Sequence, residues 1–461
     1  MMEKQKTIKK SIQFSGKGIH TGSFTNMTLL PAQENKGIVF IRTDKNDFEI
    51  KADIDFVVST NRSTNLAIKD IHVKTVEHIL AAISGNNIDN LIIEIDNEEI
   101  PILDGSAREF SEKISEVGLV EQNSYKKIYK INKEIRYFDK ETGSEIIAMP
   151  SENFQLDVTI DYNSKTLGVQ NSTLNNISDF SKEIASSRTF CFLHDLEQLL
   201  EKNLIKGGDI NNAIVVVEND INTSNISNLA KQFDKDTIKV SEEGILDNLE
   251  LRYKNEASRH KLLDVIGDLS LVGFSIKGKI TAKKPGHTHN TNFAKKLKDI
   301  IIKDMKTTSP IVNFDEKPIY NKEQIKEILP HRDPFLFIDE VRDLGNDFIV
   351  GTKFVKKEED YFKGHFPGSP VMPGVLQLET MAQVGGVLIL STVEDPENYL
   401  TYFMKIDNAK FKQKVIPGDT IIFRLELISP IRRGLCHMHG TGFVDGKIVV
   451  EADLLAKIAH K

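Results

Sequence analysis

The chain has 461 residues, a length that predicts two or three domains. Its 39% hydrophobic and 28% charged residues are typical of a globular protein, and its net charge of -7 argues against nucleic-acid binding because no basic excess exists to neutralise phosphates. No segment approaches the ~20 apolar residues of a membrane span, the N-terminus has no signal-peptide core, and only two cysteines occur. We therefore expect a cytoplasmic protein without disulfides.

The N-terminal half alternates strand-like and helix-like segments. Apolar and polar residues alternate, as in half-buried strands, in FTNMTLLPA, GIVFIRTD and NLIIEIDN. Among them lies a helix-period segment, KTVEHILAAIS, whose apolar face is formed by Val76, Ile79, Leu80 and Ile83. The same succession recurs downstream in QLDVTIDYN, NAIVVVEN and LLDVIGDLSLV. The pattern predicts two α+β units in series.

Three side chains of these helices form a candidate metal site. His78 lies in the first helix, whereas His260 and Asp264 lie four residues apart in the second, on one face and one turn from each other. Two imidazoles and one carboxylate suit zinc and leave a fourth position for water. Glu77 points about 100° away from His78, so it can act as a base without binding metal. Spacing alone also allows ordinary solvated neighbours, and this alternative stays open here.

Several motifs occur together and in chain order: GKGIHTG, KTVEHILAAISGNNIDNLIIEI, PILDGSA, SSRTFCF, RHKLLDVIGDL and KPGHTHN. Over roughly residues 8–303 they closely resemble the UDP-3-O-acyl-N-acetylglucosamine deacetylase of lipid A biosynthesis. The resemblance implies a zinc (Zn2+) amidase that acts on a UDP-sugar lipid. It also implies two similar α+β sandwich domains, 1–125 and 126–303, with the site between them.

The resemblance assigns the central roles in this chemistry. It makes His78, His260 and Asp264 the zinc ligands and Glu77 the general base. It makes His287 the cation that stabilises the oxyanion and protonates the leaving amine. We prefer it to the nearby His289 because the family motif places the catalytic histidine directly after glycine.

Four further residues of the same half receive supporting roles from the resemblance. Asp268 resembles the carboxylate that orients and charges His287, and Thr189 the hydroxyl that helps to hold the oxyanion. Lys261 is placed like a residue that contacts the nucleotide sugar, and Phe190 like part of the substrate pocket.

The C-terminal part has a different pattern. Two prolines and mixed charge in DMKTTSPIVNFDEKPIYNKEQ predict a linker at 304–320 before a domain at 321–461. In that domain one long apolar helix follows Pro373-Gly374, and strand-like segments follow the helix, among them TIIFRLEL and KIVVEADLLAKI. The pattern predicts one helix packed against a run of antiparallel strands.

A second candidate site lies in GHFPGSPVMPGVLQLETMAQ, residues 364–383. The helix start leaves free backbone N–H groups at Gly374 and Val375, which favour a developing negative charge such as a thioester enolate. A carboxylate inside an apolar helix, Glu379, suits a general acid, and His365 in the preceding loop suits a base. Together they fit β-elimination of water from a 3-hydroxyacyl thioester. The alternative, in which Glu379 is simply paired and His365 merely packs, stays open at this point.

Three motifs, LPHRDPFLFIDEV, GHFPGSPVMPGVLQLETMAQ and NAKFKQKVIPGD, resemble the 3-hydroxyacyl-[acyl-carrier-protein] dehydratase family across roughly 318–461. The resemblance implies a hot-dog fold and a catalytic pair, His365 from one chain and Glu379 from a partner chain. It makes Gly374 the oxyanion donor and the Val371 carbonyl the group that fixes the histidine tautomer. A homodimer is then the minimum, and three such dimers, a hexamer, are expected.

The acyl carrier protein is the expected partner of this second unit. Lys410, Lys412 and Lys414 alternate, so on a strand they would form a basic patch for this acidic protein, with help from Arg432 and Arg433. Lysines that protect an edge strand explain the pattern equally well. Two other functions are open for this unit: a hot-dog thioesterase, or a module that only oligomerises the deacetylase.

Overall fold

The computed structural model describes residues 3–195, 212–218, 239–241, 244–246 and 250–461. Two compact units make up the chain, Met1–Asp299 and Ile300–Lys461. In the described part, helices that combine the length and the apolar character needed to cross a membrane are absent. Both cysteines, Cys191 and Cys436, are free thiols. The last residue of the predicted strand NAIVVVEN lies outside the described residues.

The first sheet of the N-terminal unit has five strands. They lie in the order β2 (Ile12–Lys17), β3 (Phe24–Pro31), β9 (Leu91–Ile95), β4 (Ile38–Arg42) and β5 (Phe48–Lys51). Buried and exposed residues alternate along β3, as the sequence period predicts. Two helices flank the central strand in the chain, α1 (Glu77–Gly85) and α2 (Arg108–Val117).

The second sheet repeats this topology. Its order is β12 (Ile135–Phe138), β13 (Glu145–Met149), β18 (Ser275–Lys283), β14 (Phe154–Ile160) and β15 (Gln170–Leu174), with β11 (Ile128–Lys130) parallel to β18. In both sheets the central strand comes last in the chain, and of its two neighbours in the five-strand order it runs parallel to one and antiparallel to the other. In the chain, β18 is preceded by helix α4 (Glu256–Ser270) and followed by helix α5 (His287–Thr307). Two similar α+β units are thus present in series.

This unit also has shorter elements. Strand β1 (Lys4–Ile8) pairs with β10 (Leu119–Tyr125), and β7 (Asn65–Ile68) pairs with both β6 (Val57–Ser59) and β8 (Ile71–Val73). A short helix, α3 (Phe180–Glu183), precedes β16 (Phe190–Phe192), which pairs with β17 (Ile214–Val216). Helix α1 is buried at every residue except Ser84, because it contacts α2, α3 and α4. The buried surface of this helix therefore extends beyond the single apolar face predicted for it. A helix enclosed by other helices buries its polar side as well, and that side carries Glu77 and His78.

The C-terminal unit contains a six-stranded antiparallel sheet. Its order is β19 (Glu340–Leu344), β20 (Phe348–Phe354), β22 (Thr420–Leu427), β23 (Leu435–Val444), β24 (Lys447–His460) and β21 (Tyr399–Phe411). Helix α7 (Gly374–Leu390) packs on this sheet, and a short helix, α6 (Lys322–Ile328), precedes it. A Cβ on Gly440 would lie 2.3 Å from Met381 Sδ, so this glycine lets the helix approach the sheet.

The segment predicted as a linker begins with the end of a helix and ends with residues that bond to a strand. Helix α5 continues to Thr307, and the residues before α6 hydrogen-bond to the outer strand β19. The Ile319 N–H donates to the Val341 carbonyl at 2.9 Å, and Arg342 Nη1 donates to the Glu316 carbonyl at 2.7 Å. The last residues of this segment therefore belong structurally to the C-terminal unit.

Candidate active sites

The predicted zinc ligands come together at the contact between two helices. His78 is on the first turn of α1, and His260 and Asp264 project from consecutive turns of α4. Their three ligand atoms all lie within 4.8 Å of one another, and all three residues are buried. Asp264 Oδ1 is 3.3 Å from His260 Nε2 and 3.9 Å from His78 Nε2. Residues 182 positions apart in the chain thus form one cluster.

A glycine makes this close helix contact possible. A Cβ on Gly267 of α4 would lie 2.1 Å from the Glu77 carbonyl oxygen of α1, which is backbone and cannot rotate away. The side chain of any other residue would push the two helices apart. Gly267 therefore sets the separation of the ligands on the two helices.

We expect Gly267→Ala to weaken this site selectively. The added methyl overpacks the contact, which typically costs ~1–3 kcal/mol, more than the ~1 kcal/mol that alanine gains over glycine in a helix. Zinc content and deacetylation should fall, and the thermal unfolding of the N-terminal unit should occur at a lower temperature. Dehydration measured on the same sample is the control. Wild-type zinc affinity in the variant would show that the helix spacing does not set the site.

The cluster fits a metal ion by its chemistry. Asp264 Oδ1 is buried and accepts no hydrogen bond from any described residue, although two imidazoles face it. His260 Nδ1 bonds the Ser187 carbonyl at 3.1 Å, so the lone pair of its Nε2 faces the cluster. Burial lowers the pKa of His78 to about 3, which keeps this imidazole neutral and able to bind a cation. Two tetrahedral zinc ligands are roughly 3.3 Å apart, in line with the His260–Asp264 distance.

Glu77 lies beside the cluster with one oxygen held and one free. The Thr64 N–H donates to its Oε2 at 3.0 Å, and its Oε1 lies 3.7 Å from His287 Nε2. Burial raises the pKa of Glu77 to about 7, against the opposing effect of His287. A carboxylate that titrates near neutrality is suited to accept a proton from water.

His287 occupies the predicted position opposite Glu77. Its Nδ1 lies 3.0 Å from Asp268 Oδ2, which also accepts from Asn290 Nδ2 at 2.9 Å. Burial lowers the pKa of His287, but the carboxylates of Asp268 and Glu77 outweigh this effect and raise it to about 9. His287 is therefore a cation at neutral pH. His289 instead contacts the hydroxyls of Tyr137 and Thr142, each at 3.2 Å, which supports the choice between the two histidines.

Two of the remaining predicted residues, Lys261 and Phe190, lie beside the same cluster. Lys261 Nζ is 2.7 Å from Asp264 Oδ2 and 5.7 Å from the Phe190 ring, so in this structure it pairs with a predicted metal ligand. The Phe190 ring centroid is 6.4 Å from that of His260. The Thr189 N–H donates to the Gly105 carbonyl at 2.8 Å, and the role of its hydroxyl stays a prediction.

Sequence reasoning missed two residues that hydrogen-bond to the predicted catalytic carboxylates Glu77 and Asp268. Thr64 donates its N–H to Glu77 and its hydroxyl to Asp268 Oδ1, and Asn290 donates to Asp268 as well. Asn290 stands within the KPGHTHN motif three residues after His287, one helical turn on, and this spacing was an available signal. Thr64 offered none, because it approaches from a distant loop.

The second candidate site lies at the N-terminal end of α7. His365 Nδ1 is 2.8 Å from the Val371 carbonyl, so the tautomer with hydrogen on Nδ1 is fixed as the resemblance implied. Pro373 is the N-cap of α7 and Gly374 its first residue, so the first N–H groups have no partner within the helix. A Cβ on Gly374 would lie 2.8 Å from the Phe411 ring. Glycine thus lets the Phe411 ring pack closely against this helix end.

Glu379 lies in the apolar helix α7 but is neither fully buried nor without partners. Its side chain is about one-fifth exposed, its Oε1 accepts from Gln383 Nε2 at 3.0 Å, and His331 Nε2 lies 3.6 Å from the same oxygen. Gln383 also accepts from the Phe337 N–H at 2.8 Å, which fixes its amide. Oxygen Oε2 of Glu379 accepts no hydrogen bond from a described residue. Among the described residues of one chain, His365 is not within 4.0 Å of Glu379.

A cavity of about 230 Å³ extends from Glu379 along α7. Its lining combines polar side chains, among them His331, Glu379 and Gln383, with apolar ones such as Ile389, Met438 and Leu454. Two lysines of the predicted basic patch share one carboxylate: Lys410 and Lys412 are 3.1 and 2.8 Å from Glu451 oxygens. Strand β21 ends at Phe411, so only Lys410 of the three lies in a strand.

Fold and sites together define an enzyme of two parts: a mixed α/β unit with a buried candidate metal site, followed by a sheet-and-helix unit with a histidine and a glutamate at a cavity. Family models divide the chain in the same way. The UDP-3-O-acyl N-acetylglycosamine deacetylase model matches residues 5–234 and 218–299, and the FabA-like domain model matches residues 329–453.

Full-length relatives combine both parts. The bifunctional enzyme LpxC/FabZ of Bacteroides thetaiotaomicron is 45% identical over 459 residues, and that of Porphyromonas gingivalis is 44% identical over 458, in each case 99% of both chains. A UDP-3-O-acyl-N-acetylglucosamine deacetylase of Thermodesulfovibrio yellowstonii is 40% identical over 294 residues, 64% of this chain and 91% of that one. The chain belongs to the family of bifunctional LpxC/FabZ enzymes.

Proposed function

We propose that the N-terminal unit hydrolyses the acetamide of a UDP-3-O-[(3R)-3-hydroxyacyl]-N-acetylglucosamine, to give the free amine and acetate. The convergence of His78, His260 and Asp264 beside Glu77 and His287 carries this proposal. We further propose that the three ligands hold zinc. When bound, the ion supplies Lewis-acid activation of water and of the amide carbonyl. The family resemblance supports two sandwich domains, 1–125 and 126–303, around this site.

The side chains around the site supply the proton transfers. Glu77 Oε1 is free to take a proton from the attacking water, since Thr64 holds the other oxygen. Protonated His287 stabilises the oxyanion, an interaction typically worth ~3–4 kcal/mol, and delivers a proton to the leaving amine. The Asp268 carboxylate orients the Nδ1–H group of His287, so Nε2 of His287 faces Glu77 Oε1 at 3.7 Å. Thr189, Lys261 and Phe190 would bind the substrate around this pair.

Selective removal of the metal tests the zinc proposal. Dialysis of the full chain against a strong chelator should abolish deacetylation while dehydration continues, and one equivalent of Zn2+ should restore the lost activity. Fe2+ added in a parallel sample compares the two ions at the same site. Deacetylation that survives complete metal removal would refute the proposal.

We expect a bell-shaped pH dependence of deacetylation. Glu77 must be ionised and His287 protonated, so kcat/KM should rise as pH passes about 7 and fall as it passes about 9. A bound divalent cation favours the ionised carboxylate and the neutral imidazole, so it moves both limbs to lower pH and keeps their order. Glu77→Gln should remove the acidic limb along with most of the activity. A profile without a falling limb would contradict the role of His287.

We propose that the C-terminal unit is a hot-dog domain that dehydrates (3R)-3-hydroxyacyl-acyl carrier protein to the trans-2-enoyl form. The fixed tautomer of His365 supports a base, and the position of Glu379 in the lining of the cavity supports an acid that acts on an acyl thioester. The N–H groups at Gly374 would stabilise the enolate. In the elimination, His365 accepts the C2 proton of the acyl chain. Glu379 donates a proton to the C3 hydroxyl, which leaves as water.

We propose a homodimer in which His365 of one copy meets Glu379 of the other. The outer strand β21 supports it, because this edge exposes five large apolar side chains: Tyr402, Phe403, Met404, Ile406 and Phe411. An exposed apolar edge strand is a template for pairing with a second copy. Three such dimers would form the hexamer. Lys414, Arg432 and Arg433 remain candidates for binding the acyl carrier protein, in a cytoplasmic setting.

A further inference from the structure

One peptide group links a buried carboxylate to a predicted zinc ligand. The peptide between Ser187 and Arg188 presents its carbonyl to His260 Nδ1 at 3.1 Å and its N–H to Glu256 Oε1, also at 3.1 Å. Glu256 and His260 stand four residues apart on α4, so both project from the same face one turn apart. A planar trans peptide points its C=O and N–H in opposite directions, and here each end meets one of these side chains.

The carboxylate at the far end of this chain of contacts is fully buried and paired. Arg188 holds Glu256 in a two-pronged contact, with Nε to Oε1 at 2.8 Å and Nη2 to Oε2 at 3.1 Å. The Arg252 N–H also donates to Oε2, at 2.6 Å. Arg188 is 4% exposed and Glu256 1%. Four donors thus fix the carboxylate in one position.

We propose that Glu256 is a positioning residue for metal binding, acting on His260 through the Ser187–Arg188 peptide. A carboxylate that accepts from the peptide N–H polarises the group and makes its carbonyl a stronger acceptor. The stronger acceptor holds the Nδ1–H tautomer of His260 and raises the basicity of Nε2 toward the ion. A histidine that binds a metal often donates its other N–H directly to a carboxylate or a backbone carbonyl. Here His260 donates to a carbonyl, and the carboxylate of Glu256 acts on that carbonyl through the same peptide group.

This proposal rests on the metal site proposed above, and zinc binding by the wild-type chain separates the two. A wild-type chain that takes up no zinc refutes the site itself. The relay is tested by the zinc dissociation constant, measured by chelator competition on the full chain. We expect Glu256→Gln to weaken binding ~10–100-fold, the usual effect of losing a partner behind a ligand.

Two further variants guard against a folding defect, since Glu256→Gln leaves Arg188 buried and unpaired. The double variant Arg188→Met/Glu256→Gln removes both charges and should show the same loss of zinc affinity. Arg188→Lys keeps the carboxylate charged and its peptide contact, so its affinity should stay within about threefold of wild type. Arg259→Met is the matched control: it adjoins His260 but pairs with Glu183 on a part-exposed face, and should bind zinc normally.

The tautomer of His260 can also be measured directly, in the unmodified protein and in the variant. Nitrogen NMR of labelled histidine in the metal-free chain should show His260 with hydrogen on Nδ1, and Glu256→Gln should increase the other tautomer. A purely structural ion pair would change the unfolding temperature without changing the tautomer. Wild-type zinc affinity in a folded double variant, or hydrogen on Nε2 of His260 in the wild type, would overturn the proposal.

Discussion

Replacing His365 by alanine is expected to reduce dehydration by ~10²-fold or more while deacetylation stays near the wild-type rate. The imidazole is the only proposed base of the C-terminal unit, and the Val371 carbonyl already holds it in the tautomer that leaves Nε2 free. Deacetylation depends on residues of the other compact unit. Both rates should be measured on one preparation, with 3-hydroxyacyl-acyl carrier protein and the UDP-sugar substrate.

His437→Ala is the matched control for this variant, because it removes a histidine of strand β23 that is assigned no part in the reaction. Normal dehydration by His365→Ala would refute the role of His365 as the base, whereas a wild-type chain without dehydration would leave the C-terminal unit as a module for oligomerisation only. Release of free thiol without the enoyl product would instead identify a thioesterase.

Replacing Asp264 by alanine is expected to lower zinc content and to abolish measurable deacetylation, while dehydration continues. The change removes a ligand atom that has no hydrogen-bond partner among the described residues, and leaves two imidazoles that hold zinc weakly. Metal analysis of the purified variant, combined with both assays, provides the measurement. Zinc retained in full would remove Asp264 from the ligand set.

Asp157→Ala provides the comparison for that experiment. Asp157 is a part-exposed carboxylate on strand β14 that pairs with Lys279 at 3.0 Å, so its loss should alter neither zinc content nor either rate. Lys261 adds a further expectation. Because its ammonium pairs with Asp264 at 2.7 Å, the alanine variant also frees this lysine, and substrate KM should be measured beside kcat.

The sequence by itself determined which residues could do the chemistry. Helical spacing placed His260 and Asp264 on one face, Pro373-Gly374 marked the start of α7, and strand periods indicated most of the first sheet. These features depend on backbone geometry over a few residues, which local sequence expresses directly. Motif resemblance added His287 and the catalytic pair of the second unit, where spacing alone left alternatives.

Only the tertiary structure decided how those residues are held. Gly267 sets the approach of α1 to α4, Thr64 and Gln383 each bind one oxygen of a carboxylate proposed to be catalytic, and Glu256 reaches His260 through a peptide from another segment. Such contacts join residues far apart in the chain or pass through backbone groups that every residue possesses. No local pattern records them, because they arise only when packing brings the segments together.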